Sequence, residues 1–480
     1  MEKRVHKLTF YHPKLERISE CFNSCYIVGG FVRDRLLGIR KEFTDIDLVT
    51  SDDLERIVKC IGERLKRKPF SFEREKRVFS FVGDYFRIDV SNLWGGSIEE
   101  DLRKRDFTIN AIGVDFRELF LPFNDDVLLI DPTGGFEDLQ KGLIRPAYET
   151  SISDDPVRIV RGVRFRVQLD FSYHSSFIEQ SKGKERELSE SPVERVREEL
   201  LKILRSEKFS MALRDFDSLE VFYGIFGELS GIEKIPPSGL HQYNLKEHTL
   251  KTVELLEEYV FKKAGEILGE LSSSLGSIEL IPNFSDRECL KLTALYHDVG
   301  KPLTVKEING RLTFYNHDKV GAEITKGALL RLGFGKKAGR MGFIVVRNHL
   351  RPFFLYDLYR KGNLTERAIY RLFRDTREYF LHTLLLSVAD FGATSEEMFK
   401  KLLEYEKFVK YLVQFYRERL MNLKPLLSGR EIMEIKGYDR PNRCVGVIKE
   451  KLLELQAVGK VKTKEEAISV VLGMNCEDKV

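Results

Sequence analysis

Asp45-Ile46-Asp47-Leu48-Val49 alternates acidic and apolar residues. On a strand, Asp45 and Asp47 face one side, and Ile46 and Leu48 face the other, toward a core. Two carboxylates side by side repel, and a divalent cation is the usual reason for such a pair. Upstream, Val28-Gly29-Gly30-Phe31-Val32-Arg33-Asp34 reads as a strand running into a glycine turn and then a helix. There, backbone N–H groups can approach a phosphate, the helix N-terminus favours an anion, and Arg33 adds charge. A third carboxylate, Asp89, lies in Arg87-Ile88-Asp89-Val90 and points away from Ile88 and Val90. Three carboxylates beside a phosphate-binding turn suit two-metal phosphoryl transfer. One metal activates a hydroxyl, and the other neutralises a triphosphate and its leaving pyrophosphate. No G-x-x-x-x-G-K-[ST] occurs, so the turn is not a P-loop.

These residues need a sheet beneath them. CYIVGG (25–30), TDIDLVT (44–50), RVFSFVGDYFRIDV (77–90) and NAIGVDF (110–116) read as strands, with helices over 31–38 and 54–67. That predicts a small α+β domain over residues 1–150, left through a turn-rich stretch at 131–142. Beyond it, helical periodicity takes over. Pro156 suits a first helical position after Asp154-Asp155, and Ser191 is expected to cap a helix that opens with Pro192 and Glu194. Residues 196–480 read as almost wholly helical, with loops at 268–284 and 437–446. The expected division is a head (1–150), a helical neck (151–215), a body (216–400) and a helical tail (401–480).

Composition narrows the class without choosing a substrate. The chain has 480 residues, with 79 Lys+Arg against 75 Asp+Glu, a formal net charge of +4. That excludes a histone-like polycation, and any nucleic-acid role must come from local clustering. Charged residues make up 32%, above the roughly 25% of ordinary domains, which fits a heat-adapted surface. No apolar run reaches the ~18 residues of a membrane span, and the first residues lack a signal-peptide core. A cytoplasmic protein with no membrane partner is therefore expected. Six cysteines without a Cys-x-x-Cys pair are expected to be reduced thiols.

Five motifs stand in order: Gly29-Gly30-Phe31-Val32-Arg33-Asp34, Asp45-Ile46-Asp47, Arg105-Asp106-Phe107-Thr108-Ile109-Asn110-Ala111, Asp131-Pro132-Thr133-Gly134-Gly135, and Asp155-x-x-Arg158-x-x-Arg161. The set resembles the class II tRNA nucleotidyltransferase and bacterial poly(A) polymerase family. The resemblance implies a polymerase-beta-like nucleotidyltransferase head followed by all-α segments. It implies Mg²⁺ at Asp45 and Asp47, with Asp89 as third carboxylate. Gly29, Gly30 and Arg33 would contact the triphosphate, and Arg105, Asp106 and Asn110 the triphosphate and ribose. Asp106 has a second reading as the N-cap of a helix over FTINAI. Asp155 and Arg158, with Arg161 in the same motif, would read the incoming base in place of a nucleic-acid template. Arg158, Arg161 and Arg164 step by three along one expected helix face, with Val157, Val160 and Val163 adjoining. The family usually has Glu where this chain has Asp154.

In full CCA-adding members a flexible loop of a dozen or more residues follows the third-carboxylate strand. Here only Trp94-Gly95-Gly96-Ser97 separates Asp89-Val90-Ser91-Asn92-Leu93 from IEEDLRKRDFTINAI. That resembles the members adding only the two cytidines, so the expected reaction extends the tRNA 3′ end from CTP. Addition of adenosine from ATP, as by a full CCA-adding enzyme or a poly(A) polymerase, is the alternative.

A second constellation lies in the helical region: His248, His297-Asp298, His317, His349 and Asp390. Its order, with LTALYHDVGKP, resembles the HD metal-dependent phosphohydrolase superfamily. His248, His297, Asp298 and Asp390 would hold a transition metal or Mg²⁺, and His317 and His349 would complete a second site. The resemblance implies an activity on terminal phosphates or 2′,3′-cyclic ends, with a scaffold as the alternative. An HD hydrolase using the head only to bind RNA is the rival of a different class. The tail resembles the family's C-terminal helical region, which would contact the outer part of tRNA.

Overall fold

A computed structural model of the protein describes residues 3–70, 78–122 and 125–474. The chain forms two units, Met1–Ser191 with Asp215–Ile225, and Pro192–Arg214 with Phe226–Val480.

The first unit is built on a seven-stranded sheet: β1 (Arg4–His6), β2 (Cys25–Val28), β3 (Thr44–Thr50), β4 (Phe79–Val82), β5 (Phe86–Asn92), β6 (Gly113–Asp115) and β7 (Asp126–Ile130). The order is β1-β7-β6-β2-β3-β5-β4. Only β3 and β5 run parallel; the other neighbours are antiparallel. The alternation seen in the sequence decides the faces. Ile46, Leu48, Ile88 and Val90 are at most 1% exposed, which leaves the acids between them on the opposite face.

Helices α1 (Pro13–Ile18), α2 (Gly30–Leu36), α3 (Leu54–Leu65), α4 (Ile98–Arg103), α5 (Gly135–Lys141), α6 (Ser151–Asp154) and α7 (Val157–Leu169) complete the part that matters for the site. In α3, Leu54, Ile57, Val58, Ile61 and Leu65 form the buried stripe, and the Asp53 carboxylate caps the first turn through the Arg56 N–H at 2.7 Å. Val28, Val49, Ile98, Leu102 and Ala111 pack as one cluster, joining β2, β3 and α4 on the sheet face that carries Asp47.

Several local expectations change. The 77–90 stretch is a hairpin of two strands, with Arg77 outside the described residues. The 110–116 strand shortens to β6, because Thr108–Asn110 turns as a 3₁₀ helix. The 131–142 stretch contains α5. The Asp131 carboxylate accepts from the Gly135 and Phe136 N–H groups at 2.7 and 3.0 Å, so an acid ahead of the glycines caps the helix. Gly135 is required by proximity: a Cβ there would stand 2.0 Å from the Thr108 carbonyl oxygen. Helix α7 starts at Val157, one residue beyond Pro156. Ser191 does not cap. Its hydroxyl donates to Glu187 O at 2.9 Å, and the next helix starts at Val193.

The expectation of reduced thiols is also corrected. Cys21 and Cys60 are bonded, while Cys25 and Cys289 are free and buried. Cys476 lies outside the described residues. A partner 39 residues away leaves no local pattern.

The second unit is mainly helical. Two small hairpins interrupt it, Glu279–Ile281 with Phe284–Ser285, and Lys306–Ile308 with Arg311–Thr313. They replace the expected loop at 268–284 and part of the expected helix. Asn309-Gly310, both at positive φ, forms the two-residue turn that this dipeptide favours. In the tail, Asn442 ends the 437–446 loop by capping Arg443–Ala457. Tail residues such as Leu427, Ile432, Ile448, Leu452 and Val471 form a hydrophobic cluster of their own. Among the described residues no helix is long and apolar enough to cross a membrane.

Candidate functional site

Strand register brings the acids together. Asp47 on β3 is the register partner of Asp89 on β5, and Asp45 is the partner of Arg87. Burial raises the Asp47 carboxyl above the usual range; Arg105 opposes this, while Asp89 and Asp45 add to it. A cation would relieve that repulsion, and an all-oxygen donor set suits Mg²⁺. Asp89 accepts from Arg87 Nε at 2.8 Å, and Arg87 also donates to Ser80 Oγ at 3.2 Å. Among the described residues, the three-residue groups whose ligand atoms gather within 4.8 Å are both in the second unit. The head acids thus share a strand face without closing into a cage.

The glycine turn presses on this face. Gly29 has φ +75°, and a Cβ there would stand 2.8 Å from Asp47 Oδ2 and 3.2 Å from Arg105 Nη1. Only glycine combines that backbone with that approach. Gly30 opens α2.

A continuous polar chain runs away from the turn. Arg33, 7% exposed, donates to Asp34 Oδ1 and, through Nη1, to Asn110 Oδ1 at 2.7 Å. Asn110 donates to Asp106 Oδ1 at 3.0 Å, and Asp106 pairs with Arg161 Nε at 2.7 Å. Burial raises the Asp106 carboxyl, but Arg161, Asn110 and the Phe107 N–H more than offset it and hold it low. Asp106 therefore does not cap a helix. Its motif makes only a 3₁₀ turn, whose N-cap is Phe107.

Arg158 is held from one end. Its Nη1 donates to Tyr148 Oη at 3.0 Å, to Ser151 Oγ at 2.7 Å and to Ser151 O at 3.3 Å. Its Nε lies 3.7 Å from Asp155 Oδ2. Ser151 Oγ donates in turn to Asp106 O at 2.9 Å, linking the two motifs. Asp154 accepts from Thr150 Oγ1. Arg164 leaves the expected stripe. It is buried, 4.1 Å above the Phe165 ring, and donates to Gln168. A step of three residues slips back about 60° on a 3.6-residue helix, so two steps turn a side chain to another face.

The connector is short and tied down. Only residues 93–97 separate β5 from α4. The Trp94 N–H donates to Asp101 Oδ1 at 3.0 Å, and the Gly96 N–H to Glu100 Oε2 at 2.7 Å. Asp101 also holds Arg105, accepting from its Nε and Nη2 at 3.2 and 3.0 Å. Lys104 Nζ stands 5.5 Å above the Trp94 ring and 4.8 Å above the Tyr148 ring. Cation–π contacts thus run from the connector to the ring that holds Arg158.

The HD constellation converges. His248 lies on Leu245–Leu255, His297-Asp298 follows Asp286–Tyr296, His317 opens His317–Arg331, His349 follows Gly335–Asn348, and Asp390 lies on Phe380–Thr394. Each Nδ1 faces a backbone carbonyl: Ala393, Ala294, Phe314 and Val346, at 3.3, 2.8, 2.6 and 2.6 Å for His248, His297, His317 and His349. That fixes the Nδ1–H tautomer and aims every Nε2 inward, the arrangement of metal-ligating histidines. His248 and His297 Nε2 lie 3.5 and 3.3 Å from Asp298 Oδ2, and 3.1 and 3.6 Å from Asp390 Oδ1. His317 and His349 Nε2 lie 3.4 and 3.6 Å from Asp298 Oδ1. Asp298 Oδ1, His317 Nε2 and His349 Nε2 are buried without a hydrogen-bond partner, a cost that a bound cation removes. Two groups share Asp298, one with His248 and His297 and one with His317 and His349.

Sequence reasoning missed several members. Lys301 Nζ lies 2.5 Å from Asp298 Oδ2, and its spacing of three from the acid was the available signal. His241 packs against His248 at 4.6 Å between ring centroids, and burial followed by Lys301 lowers its pKa to about 3. Tyr148, Ser151, Asp101 and Lys104 had no signal, because only tertiary contacts give them a role.

Comparison with known proteins follows these two sites. Residues 25–145 match the poly A polymerase head domain, 176–232 the probable RNA and SrmB-binding site of polymerase A, and 245–390 the HD domain. The chain is 30% identical over 476 residues to a CC-adding tRNA nucleotidyltransferase of Thermus thermophilus, covering 96% of this chain and 94% of that protein. It is 28% identical over 458 residues to an A-adding tRNA nucleotidyltransferase of Deinococcus radiodurans, covering 93% and 94%. A solved Thermotoga maritima CCA-adding enzyme complexed with tRNA shares the fold, with TM-score 0.62, 21% identity and coverage of 98% and 99%.

Proposed function

The chain belongs to the CCA-adding family of tRNA nucleotidyltransferases, and we propose that it is the member that adds the two cytidines, working from CTP in the cytoplasm. The observation carrying this reading is the connector of residues 93–97, pinned to α4 through Asp101 and Glu100. A segment so short and so tied cannot swing to reshape a base pocket from C to A. The similarities to the CC-adding Thermus thermophilus protein and to the A-adding Deinococcus radiodurans protein, 30% and 28% identical, are nearly equal, so the reading rests on the connector.

In this reading, Asp45, Asp47 and Asp89 would hold Mg²⁺, which would lower the pKa of the tRNA 3′-hydroxyl and neutralise triphosphate charge. The Gly29-Gly30 turn and Arg33 seat the triphosphate at the start of α2. Arg105, aligned by Asp101, adds charge next to Asp47. Asp106 and Asn110, fixed by Arg161 and Arg33, take the ribose. Arg158 and Asp155 present donors and acceptors to the base edge. The 3′ oxygen bonds to the α-phosphorus, and the bond to pyrophosphate breaks.

The test uses tRNA lacking its 3′ end with CTP, ATP or both, and sizes the products. Growth by two residues with CTP and no further growth with ATP is expected. A terminal A overturns the CC reading, and long A tails favour a poly(A) polymerase.

A second activity is proposed for the HD centre: hydrolysis of terminal phosphates or 2′,3′-cyclic ends, using metals held by His248, His297, Asp298, Asp390, His317 and His349. The convergence of four Nε2 atoms on Asp298 supports it. Phosphatase assays with zinc, nickel, manganese and magnesium, controlled by His297→Ala, test it. No activity with any metal leaves a scaffold.

A further inference from the structure

The connector between β5 and α4 carries one large ring. Leu93 packs on the cluster of Val28, Val49, Ile98, Leu102 and Ala111. Trp94, the next residue, turns outward and is 58% exposed. Its backbone N–H donates to Asp101 Oδ1 at 3.0 Å. Gly95, at φ +82°, turns the chain directly after it, and the Gly96 N–H donates to Glu100 Oε2. The ring therefore stands on a fixed stretch of backbone.

Lys104 stands beside that ring. Its Nζ lies 5.5 Å from the Trp94 ring centre and 4.8 Å from the Tyr148 ring centre. Among the described residues, no carboxylate pairs with it. An open aromatic face beside an unpaired cation suits one nucleotide of a single strand: the base stacks on the ring, and the phosphate takes the cation.

The contacts around this pair lead to the reacting centre. Arg158 also stands over the Tyr148 ring, at 5.6 Å, and donates to the Tyr148 hydroxyl. Asp101, which accepts from the Trp94 N–H, also holds Arg105, whose Nη1 lies against the Gly29 turn beside Asp47. Trp94 is thus linked to the base reader through Lys104 and Tyr148, and to the acids through Asp101 and Arg105. The incoming base has its place at Arg158, so a nucleotide on Trp94 is the neighbouring one.

We propose that Trp94 is the stacking platform for the last base of the RNA strand being extended, with Lys104 on the phosphate of that nucleotide. The inference rests on the reading of this site as one that extends an RNA 3′ end. It gives the short connector a task of its own, which is to seat the nucleotide whose hydroxyl attacks.

Trp94 is the chain's one tryptophan, so the emission of the full chain reports on this ring alone. The chain is titrated, with Mg²⁺ and without nucleotide, with a tRNA that lacks its CCA end and closes on an unpaired adenosine. The same tRNA with an abasic last nucleotide is the control, and gel shift sets concentrations at which both are bound. Lower emission in the first complex than in the second is expected. Equal emission in the two overturns the inference. In transfer assays, Trp94→Ala is expected to raise the KM for this tRNA roughly tenfold to a hundredfold. Trp94→Phe is expected to restore most of the loss, and neither variant to change the KM for the nucleotide added. The ring is exposed, so the fold tolerates both changes. An equal rise in both KM values, or Trp94→Phe no better than Trp94→Ala, marks a structural connector and overturns the inference. The emission comparison needs no transfer, so it holds whichever nucleotide the chain adds. A wild-type chain that adds neither cytidine nor adenosine overturns the extension reading itself.

Discussion

The Nε2 atoms of His248 and His297 lie 3.2 Å apart. Each ring gives its Nδ1 proton to a backbone carbonyl, so two neutral rings would face each other lone pair to lone pair. A proton or a metal cation must lie between them. Burial lowers the His297 pKa, but Asp298 and Asp390 overcome it and push it up to about 10.

Metal loading at pH 7 should therefore expel at least one proton. Calorimetry in two buffers of different ionisation heat should give different binding enthalpies, and affinity should rise with pH. Because the folded pKa is raised, the proton's contribution to metal-free stability is fully present below about 6.5. It is lost as pH climbs through about 10. Buffer-independent heats would sink this account.

Asp45→Ala should reduce cytidine transfer by about a thousandfold or more, the equivalent of several kcal/mol of transition-state stabilisation. Binding of tRNA, followed by gel shift, should stay near wild type. Retained transfer would refute the metal assignment.

Tyr148→Phe keeps the ring under Lys104 and removes one partner of Arg158 Nη1. Loss of a hydrogen bond to a charged group costs about 1.5–3 kcal/mol. The CTP-over-UTP ratio in kcat/KM should fall about tenfold to a hundredfold, with little change in transfer at saturating CTP. Trp94 is the chain's one tryptophan, so its emission should shift when Lys104→Ala removes the cation above it. Unchanged selectivity in Tyr148→Phe would show that Ser151 alone fixes the arginine.

Lys291, 2% exposed, donates to Leu204 O and Ser206 O at 2.8 and 2.5 Å and pairs with Glu257 at 2.7 Å. Glu257 accepts from the Phe209 and Ser210 N–H groups at 3.0 and 2.8 Å. The pair thus serves the last carbonyl of the helix Val193–Leu204, a carbonyl of the connector after it, and the first N–H groups of the helix Phe209–Ser218. Lys291→Met should destabilise the second unit by about 3–5 kcal/mol, because it leaves a buried carboxylate unpaired. Urea unfolding should show it, and a loss below about 1 kcal/mol would mean that water reaches Glu257.

The sequence declares what periodicity and spacing carry. The acids of β3 and β5 were legible because alternation sends Ile46, Leu48, Ile88 and Val90 inward, and the HD histidines because type and order mark them. What stayed hidden depends on partners far along the chain. Asp131 looked like part of a turn, yet it caps α5. Arg164 looked like a member of a stripe, yet it enters the interior. Ser151 and Tyr148 carry no motif, yet they hold Arg158. The hairpin at Asn309-Gly310 was written in the dipeptide and lost among helical neighbours.

The bond from Cys21 to Cys60 spans 39 residues and encloses the glycine turn, α2 and the Asp45/Asp47 strand in one covalent ring. Residues 40–43 of that ring are exposed, with Arg40-Lys41 among them. A protease that cuts there opens the loop without releasing either piece, since both ends stay fastened through sulfur. The phosphate turn and the metal-binding strand are therefore inherited together by any nicked molecule, and reduction becomes the step that separates them.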